Sequence, residues 1–378
     1  MNRYMRITIV TNHDWFFISH RLPIALEALK EGHEVYLLAI DTGRRKEVEN
    51  LGIRFIPIPL NPTGKNPLEE IRTIASLRNI YRKIQPDVIH HITMKVSLLG
   101  CIAAKSLGIR NVVNAISGFG YAFTDGRKGW LQKAIALEMN WAFKSDHFHF
   151  ILQNPYDLAQ LEGKQFVPEK NIHLIKGSGV DLQKFAFRKP EQKERLTLLF
   201  PARILGDKGI RELIKAMMEV RLRIEKRAKL ILAGDCTATN PTAIHENELK
   251  NMLVEDYIEW IGFRQDMVST YRESDIVVLP SYREGLPKAL IEACATGRPI
   301  ITTDVPGCRD CVINGYNGLL VKAKDVSSLA EAIVRMVEDE KMRLMFGLHS
   351  RELAEKEFGI EEVVKKHLQI YQQLFQDR

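Results

Sequence analysis

Five cysteines in 378 residues, at positions 101, 236, 294, 308 and 311, form no disulfide framework. The cytoplasm is therefore the expected compartment. Cys308-x-x-Cys311 has the spacing of a redox or metal-binding pair, but no second pair accompanies it. No apolar run approaches the roughly 18 residues that span a bilayer. The N-terminal MNRYMRITIV enters a strand pattern directly, so no secretory signal is expected. The dinucleotide fingerprint Gly-x-Gly-x-x-Gly does not follow that first strand, which argues against a nicotinamide enzyme. Asp-x-Asp, a frequent metal-holding motif, occurs nowhere in the chain. Low-complexity segments are also absent.

What remains is a chain long enough for two cores. Its 45% hydrophobic and 27% charged content is ordinary for a soluble protein. Short apolar runs such as Arg6–Thr11, Glu34–Ile40, Val88–Ile92, Leu196–Ala202, Lys229–Asp235 and Ile276–Pro280 alternate with stretches of helical period. That alternation predicts parallel sheets covered on both faces. Phe187–Arg195 (FRKPEQKER) is charged, carries Pro190, and reads as a linker between two domains. Two similar halves suggest two Rossmann-like domains facing across a cleft. The charge is unevenly shared: residues 1–187 hold 24 Lys and Arg against 17 Asp and Glu, whereas residues 188–378 hold 30 of each. The first half thus carries all the excess positive charge and suits an anionic membrane surface or a pyrophosphate-bearing acceptor. Nucleic acid is the weakest candidate partner, because no nucleic-acid module is recognisable.

The most informative stretch is Ser281–Cys308 (SYREGLPKALIEACATGRPIITTDVPGC). It lies between two strand patterns and places Glu284 and Glu292 eight positions apart around a Gly-Leu-Pro turn that opens a helix. Gly285 lets backbone approach a ligand closely. Pro287 suits a helix start, where free N–H groups favour an anion. Two carboxylate acceptors flanking an anion cradle fit a ligand with hydroxyls at both ends and phosphate between them, as in a nucleotide sugar. In Pro201–Ile210 (PARILGDKGI), Arg203 and Lys208 are two cations at a strand end and a helix start, suited to a diphosphate.

These residues carry a resemblance. Pro280, Ser281, Glu284, Gly285, Pro287, Glu292, Ala293, Gly297, Gly307, Asn317 and Gly318 resemble the Glu-x7-Glu region of retaining glycosyltransferases of the GT-B fold, family 4. Arg203-x4-Lys208-Gly resembles the same family's diphosphate-binding pair. The resemblance covers nearly the whole chain, most closely Phe200–Val321. It implies an acceptor domain at 1–187, joined by a last helix at about 361–378 that crosses back, and a nucleotide-sugar domain at 188–360. It also implies that Glu292 accepts from the ribose hydroxyls, that Glu284 meets a sugar hydroxyl, and that the backbone of Gly285, Leu286, Pro287 and Lys288 reaches sugar and phosphate. Phe263 and Arg264 would contact the base, although an aromatic at a strand end is as often core. With two cations to stabilise the leaving diphosphate and no Asp-x-Asp, metal-independent chemistry without a cofactor is expected.

The acceptor half is less legible. Thr11–Arg21 (TNHDWFFISHR) reads as a loop after the first strand, offering His13, Trp15, Phe16, His20 and Arg21. Its three successive aromatics either line a pocket, touch lipid, or pack between domains. The segment resembles first loops of family members that build bacterial surface polysaccharides. Gly118 and Gly120 in SGFGYAF allow tight turns beside a ligand, but Ser117-Gly118 stands where many relatives carry a histidine. His90, His91 and Lys95 are alternatives for a sugar-facing group. Arg127–Lys144, basic with Trp130 and Trp141, is either a membrane-interface helix or a helix packed on the sheet.

The expected function is transfer of a sugar from a nucleotide donor, most simply a UDP-sugar, to a hydroxyl of an undecaprenyl-diphosphate-linked or polysaccharide acceptor. The enzyme would work in the cytoplasm, peripherally on the inner face of the membrane. Three rivals stand beside it. A GT-B epimerase would consume UDP-sugar without acceptor. A soluble-sugar synthase would not need a basic, aromatic first half. A non-catalytic subunit of a polysaccharide assembly complex would not bind donor.

Overall fold

The structure is a computed structural model that describes residues 4–62, 64, 66–116, 139–162, 167–191, 193–236 and 242–376. Thirteen strands form two wholly parallel sheets among these residues. In chain order they are β1 (Arg6–His13), β2 (Glu34–Ile40), β3 (Arg54–Pro57), β4 (Val88–Ile92), β5 (Val112–Ile116), β6 (Phe148–Leu152), β7 (Ile172–Leu174), β8 (Leu196–Phe200), β9 (Ala228–Leu232), β10 (Ile258–Trp260), β11 (Ile276–Leu279), β12 (Ile300–Thr303) and β13 (Gly318–Val321). The first sheet runs β3-β2-β1-β4-β5-β6-β7 and the second β10-β9-β8-β11-β12-β13. Both are doubly wound α/β sheets, as the alternation of periods predicts.

The apolar runs form central strands because helices cover both faces. Every residue of β4, β5, β6, β11 and β12 is buried. The helices supply the complementary stripe. In Ile210–Glu219, the buried residues Ile210, Leu213, Ile214 and Met217 recur at helical spacing.

The chain divides into two compact units, residues 1–178 with 361–378, and residues 179–360. The division falls before Phe187–Arg195, so this charged stretch lies within the second unit. Its first residues are fastened there: a side chain added at Gly297 would collide with the Phe187 ring, and Arg298 Nη2 donates to the Arg188 carbonyl at 3.3 Å. Linker composition alone does not show such anchoring. The C-terminal helix Ile360–Gln376 belongs mainly to the first unit, where Tyr371 bonds His90 Nδ1 at 2.5 Å.

Helix burial makes the first unit acid-sensitive. His90, His91 and His367 have no solvent exposure. Burial lowers all three pKa values, that of His91 to about 4, because the charged form loses hydration. His91 is held neutral between the Tyr81 hydroxyl at 2.9 Å and Asn114 Oδ1 at 3.0 Å. Below the unfolded histidine value of about 6.5 the unfolded chain binds protons that the folded chain refuses, so stability falls as pH falls. Each histidine is expected to contribute about 1.4 kcal/mol per pH unit between roughly pH 6 and the folded value. Urea unfolding monitored on the first unit between pH 7 and 5, above most carboxylate titration, checks this. A flat profile there would show that the imidazoles are not buried neutral.

Candidate active site

In open α/β sheets ligands bind beyond the carboxyl ends of strands, where strand order reverses. In the second sheet that point lies between β8 and β11. From β8 the chain proceeds outward to β9 and β10, then returns to β11 and proceeds the other way. The two adjacent carboxyl ends lead into PARILGDKGI and SYREGLPKAL, the two motifs singled out in the sequence. Topology therefore brings together segments about 80 positions apart.

Lys208 ends the short 3-10 turn Gly206–Lys208, and Glu284 lies on the loop after β11. The Lys208 ammonium pairs directly with Glu284 Oε1, and Ser281 Oγ donates to the same oxygen at 2.8 Å. Side-chain exposure is 17% for Lys208 and 14% for Glu284, so the pair is only partly screened by water. A backbone bond ties the two loops, Tyr282 N donating to the Asp207 carbonyl at 2.9 Å, and Glu284 N donates at 3.3 Å to the Pro306 carbonyl in the loop after β12. Asp207 accepts from Thr242 Oγ1 at 3.1 Å. Thr303 Oγ1 donates to the Ser281 carbonyl.

Glycine is required where these backbones meet. Gly209 has φ +73° and Gly307 has φ +82°. A Cβ at Gly209 would overlap the Pro280 carbonyl oxygen, and one at Gly307 would overlap the carbonyl of Glu284.

The helix Lys288–Ala295 starts at Pro287 as its N-cap, not within the first turn. Proline has no N–H, so the amides of the first turn begin with Lys288 and Ala289. Glu292 lies on the helix and is buried, 8% exposed. Its partner is Lys288 at 3.5 Å, one turn earlier, and not Lys208. Burial raises the Glu292 pKa, and Lys288 and Tyr271 partly offset this. Of the four side chains expected to converge, Lys208 and Glu284 touch. Arg203, just beyond β8, is exposed and makes no side-chain ion pair or hydrogen bond among the described residues. Phe263 and Arg264 follow β10, two strands from β8. Phe263 is 70% exposed, which excludes the core reading of that aromatic.

The first sheet has its own reversal point, between β1 and β4. Here the structure corrects one expectation. Asp14–His20 is a helix, not a loop. Asp14 is fully buried and organises the segment by accepting from Trp15 N at 2.6 Å, Thr42 N at 2.7 Å and Arg44 N at 3.2 Å. Sequence reasoning passed over Asp14 because its partners are 28 to 30 residues away. The helix separates the aromatics: Phe17 is core, whereas Trp15 is 43% exposed. His13 stacks with Trp15 at 5.5 Å, and Phe16 with His20 at 4.2 Å. Arg21 is buried, donates to the His20 carbonyl at 3.1 Å, and has its pKa lowered to about 10 by burial. Lys95, after β4, is fastened to Glu70 at 3.1 Å and to the Gly64 carbonyl. His90 and His91 are interior groups of β4. Gly118 and Gly120 lie outside the described residues, as does most of Arg127–Lys144; Trp141, which is described, is 62% exposed.

All five thiols are unpaired. Burial raises the pKa of Cys308 to about 12 and that of Cys311 well above the usual thiol value, so neither is poised as a thiolate.

Comparison with known proteins decides the family. The model described as "Glycosyl transferases group 1" matches residues 181–353, and "Glycosyl transferase 4-like" matches residues 6–151. The chain belongs to the GT-B glycosyltransferases. The enzyme is 26% identical, over 99% of its length and 100% of the relative's, to the N,N'-diacetylbacillosaminyl-diphospho-undecaprenol alpha-1,3-N-acetylgalactosaminyltransferase of Campylobacter jejuni. It is 26% identical to the UDP-Gal:alpha-D-GlcNAc-diphosphoundecaprenol alpha-1,3-galactosyltransferase of Escherichia coli, over 83% of each chain. Its fold matches that of sucrose-phosphate synthase from Thermosynechococcus elongatus with a TM-score of 0.80 and 20% identity, covering 99% of this chain and 100% of that one. The enzyme is thus a glycosyltransferase.

Proposed function

We propose that the enzyme is a retaining transferase that moves a sugar from a UDP-sugar to a hydroxyl of an undecaprenyl-diphosphate-linked acceptor in glycan assembly. The observation that carries the donor half is the Lys208–Glu284 pair at the β8–β11 reversal point, beside the helix start that precedes Glu292. The acceptor half rests on the two full-length or near full-length relatives, both of which act on diphospho-undecaprenol saccharides by name. The basic first half of the sequence supports the same class of acceptor. Among the described residues no helix is long and apolar enough to cross a membrane, so peripheral attachment is the mode proposed.

In this reading Arg203 and Lys208 hold the diphosphate and Glu292 accepts from the ribose. Glu284 orients a sugar hydroxyl, and Phe263 with Arg264 meets the base. His13, Trp15, His20 and Lys95 form part of the acceptor side. The bond from the anomeric carbon to the diphosphate oxygen breaks, and the acceptor oxygen bonds to that carbon on the same face. The acceptor's proton passes to the departing phosphate oxygen. Charge that grows on the diphosphate is met by cations already in place, which supports chemistry without a divalent metal. No carboxylate serves as nucleophile, unlike paired-acid glycosidases.

A panel of UDP- and GDP-sugars scored by thermal shift tests the donor. A ligand at 100 times its Kd adds about 2.7 kcal/mol to the folded state, which raises the melting point by several degrees. A shift with UDP-sugars that survives EDTA is the expected result. Response to GDP-sugars alone would overturn the donor assignment. UDP-sugar turnover without any acceptor would indicate epimerase chemistry.

A further inference from the structure

The first unit contains a cavity of about 880 Å³ that the reaction above does not use. It opens at the amino ends of β1, β4, β5, β6 and β7, the edge of the sheet opposite His13 and Lys95. Arg6, Arg82, Arg110 and Lys170 line it, against a single lining carboxylate, Asp146. From this set we infer a second binding site, for a phosphate or diphosphate ester.

Cations at this edge have an ordinary explanation, which must be weighed first. In a parallel α/β sheet the helices end here, and their carbonyl ends favour positive charge. Arg6 conforms: it donates to the Ile84 carbonyl at 2.8 Å and pairs with Asp87 at 3.6 Å. Arg82 and Lys170 also stand in last turns, those of Pro67–Ile84 and Glu169–Asn171, but unlike Arg6 they bond no carbonyl among the described residues, and Arg110 stands outside any helix. Arg110 Nη2 lies 2.6 Å from His147 Nε2, and no carboxylate pairs with its guanidinium among the described residues. Arg82 and Lys170 make no ion pair or side-chain hydrogen bond among the described residues. Arg82, Arg110 and Lys170 are exposed side chains at the rim, and with one facing acid they leave the concavity net positive. The planar forks of Arg82 and Arg110 suit phosphate oxygens. The volume falls within the range of small-molecule sites and accommodates a phosphate ester with its organic part.

Two sources share this chemistry: the headgroup of an anionic phospholipid, and a free phosphorylated metabolite. The probe is inorganic pyrophosphate, titrated calorimetrically at low ionic strength into full-length protein carrying Arg203→Ala and Lys208→Ala, which removes the candidate donor cations. One equivalent is expected to bind. Adding Arg82→Gln and Arg110→Gln should weaken it about tenfold or more, and Lys170→Gln, at an exposed position, should weaken it separately. Melting curves of each variant establish that it is folded. Co-sedimentation with phosphatidylglycerol–phosphatidylcholine vesicles, lost in the Arg82→Gln/Arg110→Gln protein and reversed by pyrophosphate, would identify the headgroup. Pyrophosphate binding without vesicle retention would identify a soluble ester. No binding, or binding unchanged by all three glutamine substitutions, overturns the site.

Discussion

Lys208→Ala is expected to lower turnover by about 10²–10³-fold with little change in melting temperature, the scale seen when one preorganised charge is removed from a transition state. The substitution removes a cation held by Glu284 and by the turn Gly206–Lys208 before any substrate arrives. One of the three ammonium protons is engaged by Glu284, which leaves two for phosphate oxygens. Lys208→Arg is not a conservative rescue, because a planar fork cannot occupy the same point between Glu284 and an incoming phosphate. Glu292→Ala should cost a comparable factor by removing the ribose acceptor; its main cost should appear in KM, since ribose contacts are made in ground and transition states alike. Initial rates with a UDP-sugar and a lipid-linked acceptor check both. Near-normal kcat for Lys208→Ala together with near-normal kcat/KM for Glu292→Ala would refute the donor-site assignment.

Gly209→Ala should destabilise the second unit by about 2–4 kcal/mol and abolish the donor-induced thermal shift together. Two physical terms act at once. Alanine at φ +73° is strained, and its methyl group would overlap the backbone carbonyl of Pro280, which no rotamer change relieves. Either Lys208 or the end of β11 has to move, and both carry the site. Urea unfolding of the second unit and the UDP-sugar shift, measured on one preparation, give the two readouts. A fully stable variant that still binds donor would show that the β8 and β11 loops are not coupled through this contact. Ala216→Gly, in the buried face of the following helix, is a useful control: it loosens the unit without touching the loops.

The two halves of the enzyme differed in how far the linear chain revealed them. The placement of Glu284, Gly285, Pro287 and Glu292 around one strand end was legible because the segment is local: strand, turn and helix start occur within about a dozen residues, so spacing encodes geometry. Arg203 and Lys208 were legible for the same reason within their own loop. Nothing local said that Lys208 and Glu284 would touch. That contact depends on β8 and β11 being neighbours. The Lys288–Glu292 pair, by contrast, is an i,i+4 contact that helical spacing alone allows. In the first unit the reading of Thr11–Arg21 as a loop failed because the segment's anchor, Asp14, bonds Thr42 and Arg44. Local composition rich in aromatics and histidines outweighed a helical tendency that only those distant amides complete.

By itself the sequence determined the fold class, the alternation of layers and the chemical types available at each strand end. These follow from periodicity and from residue chemistry, both of which act over a few positions. Tertiary structure alone decided which strand ends are adjacent, which cations keep their charge unspent and which carboxylate is masked. It also decided that the arginines and the lysine at the amino edge of the first sheet share one cavity. Adjacency in a parallel sheet is set by long crossovers, and partnerships across them have no signature along the chain.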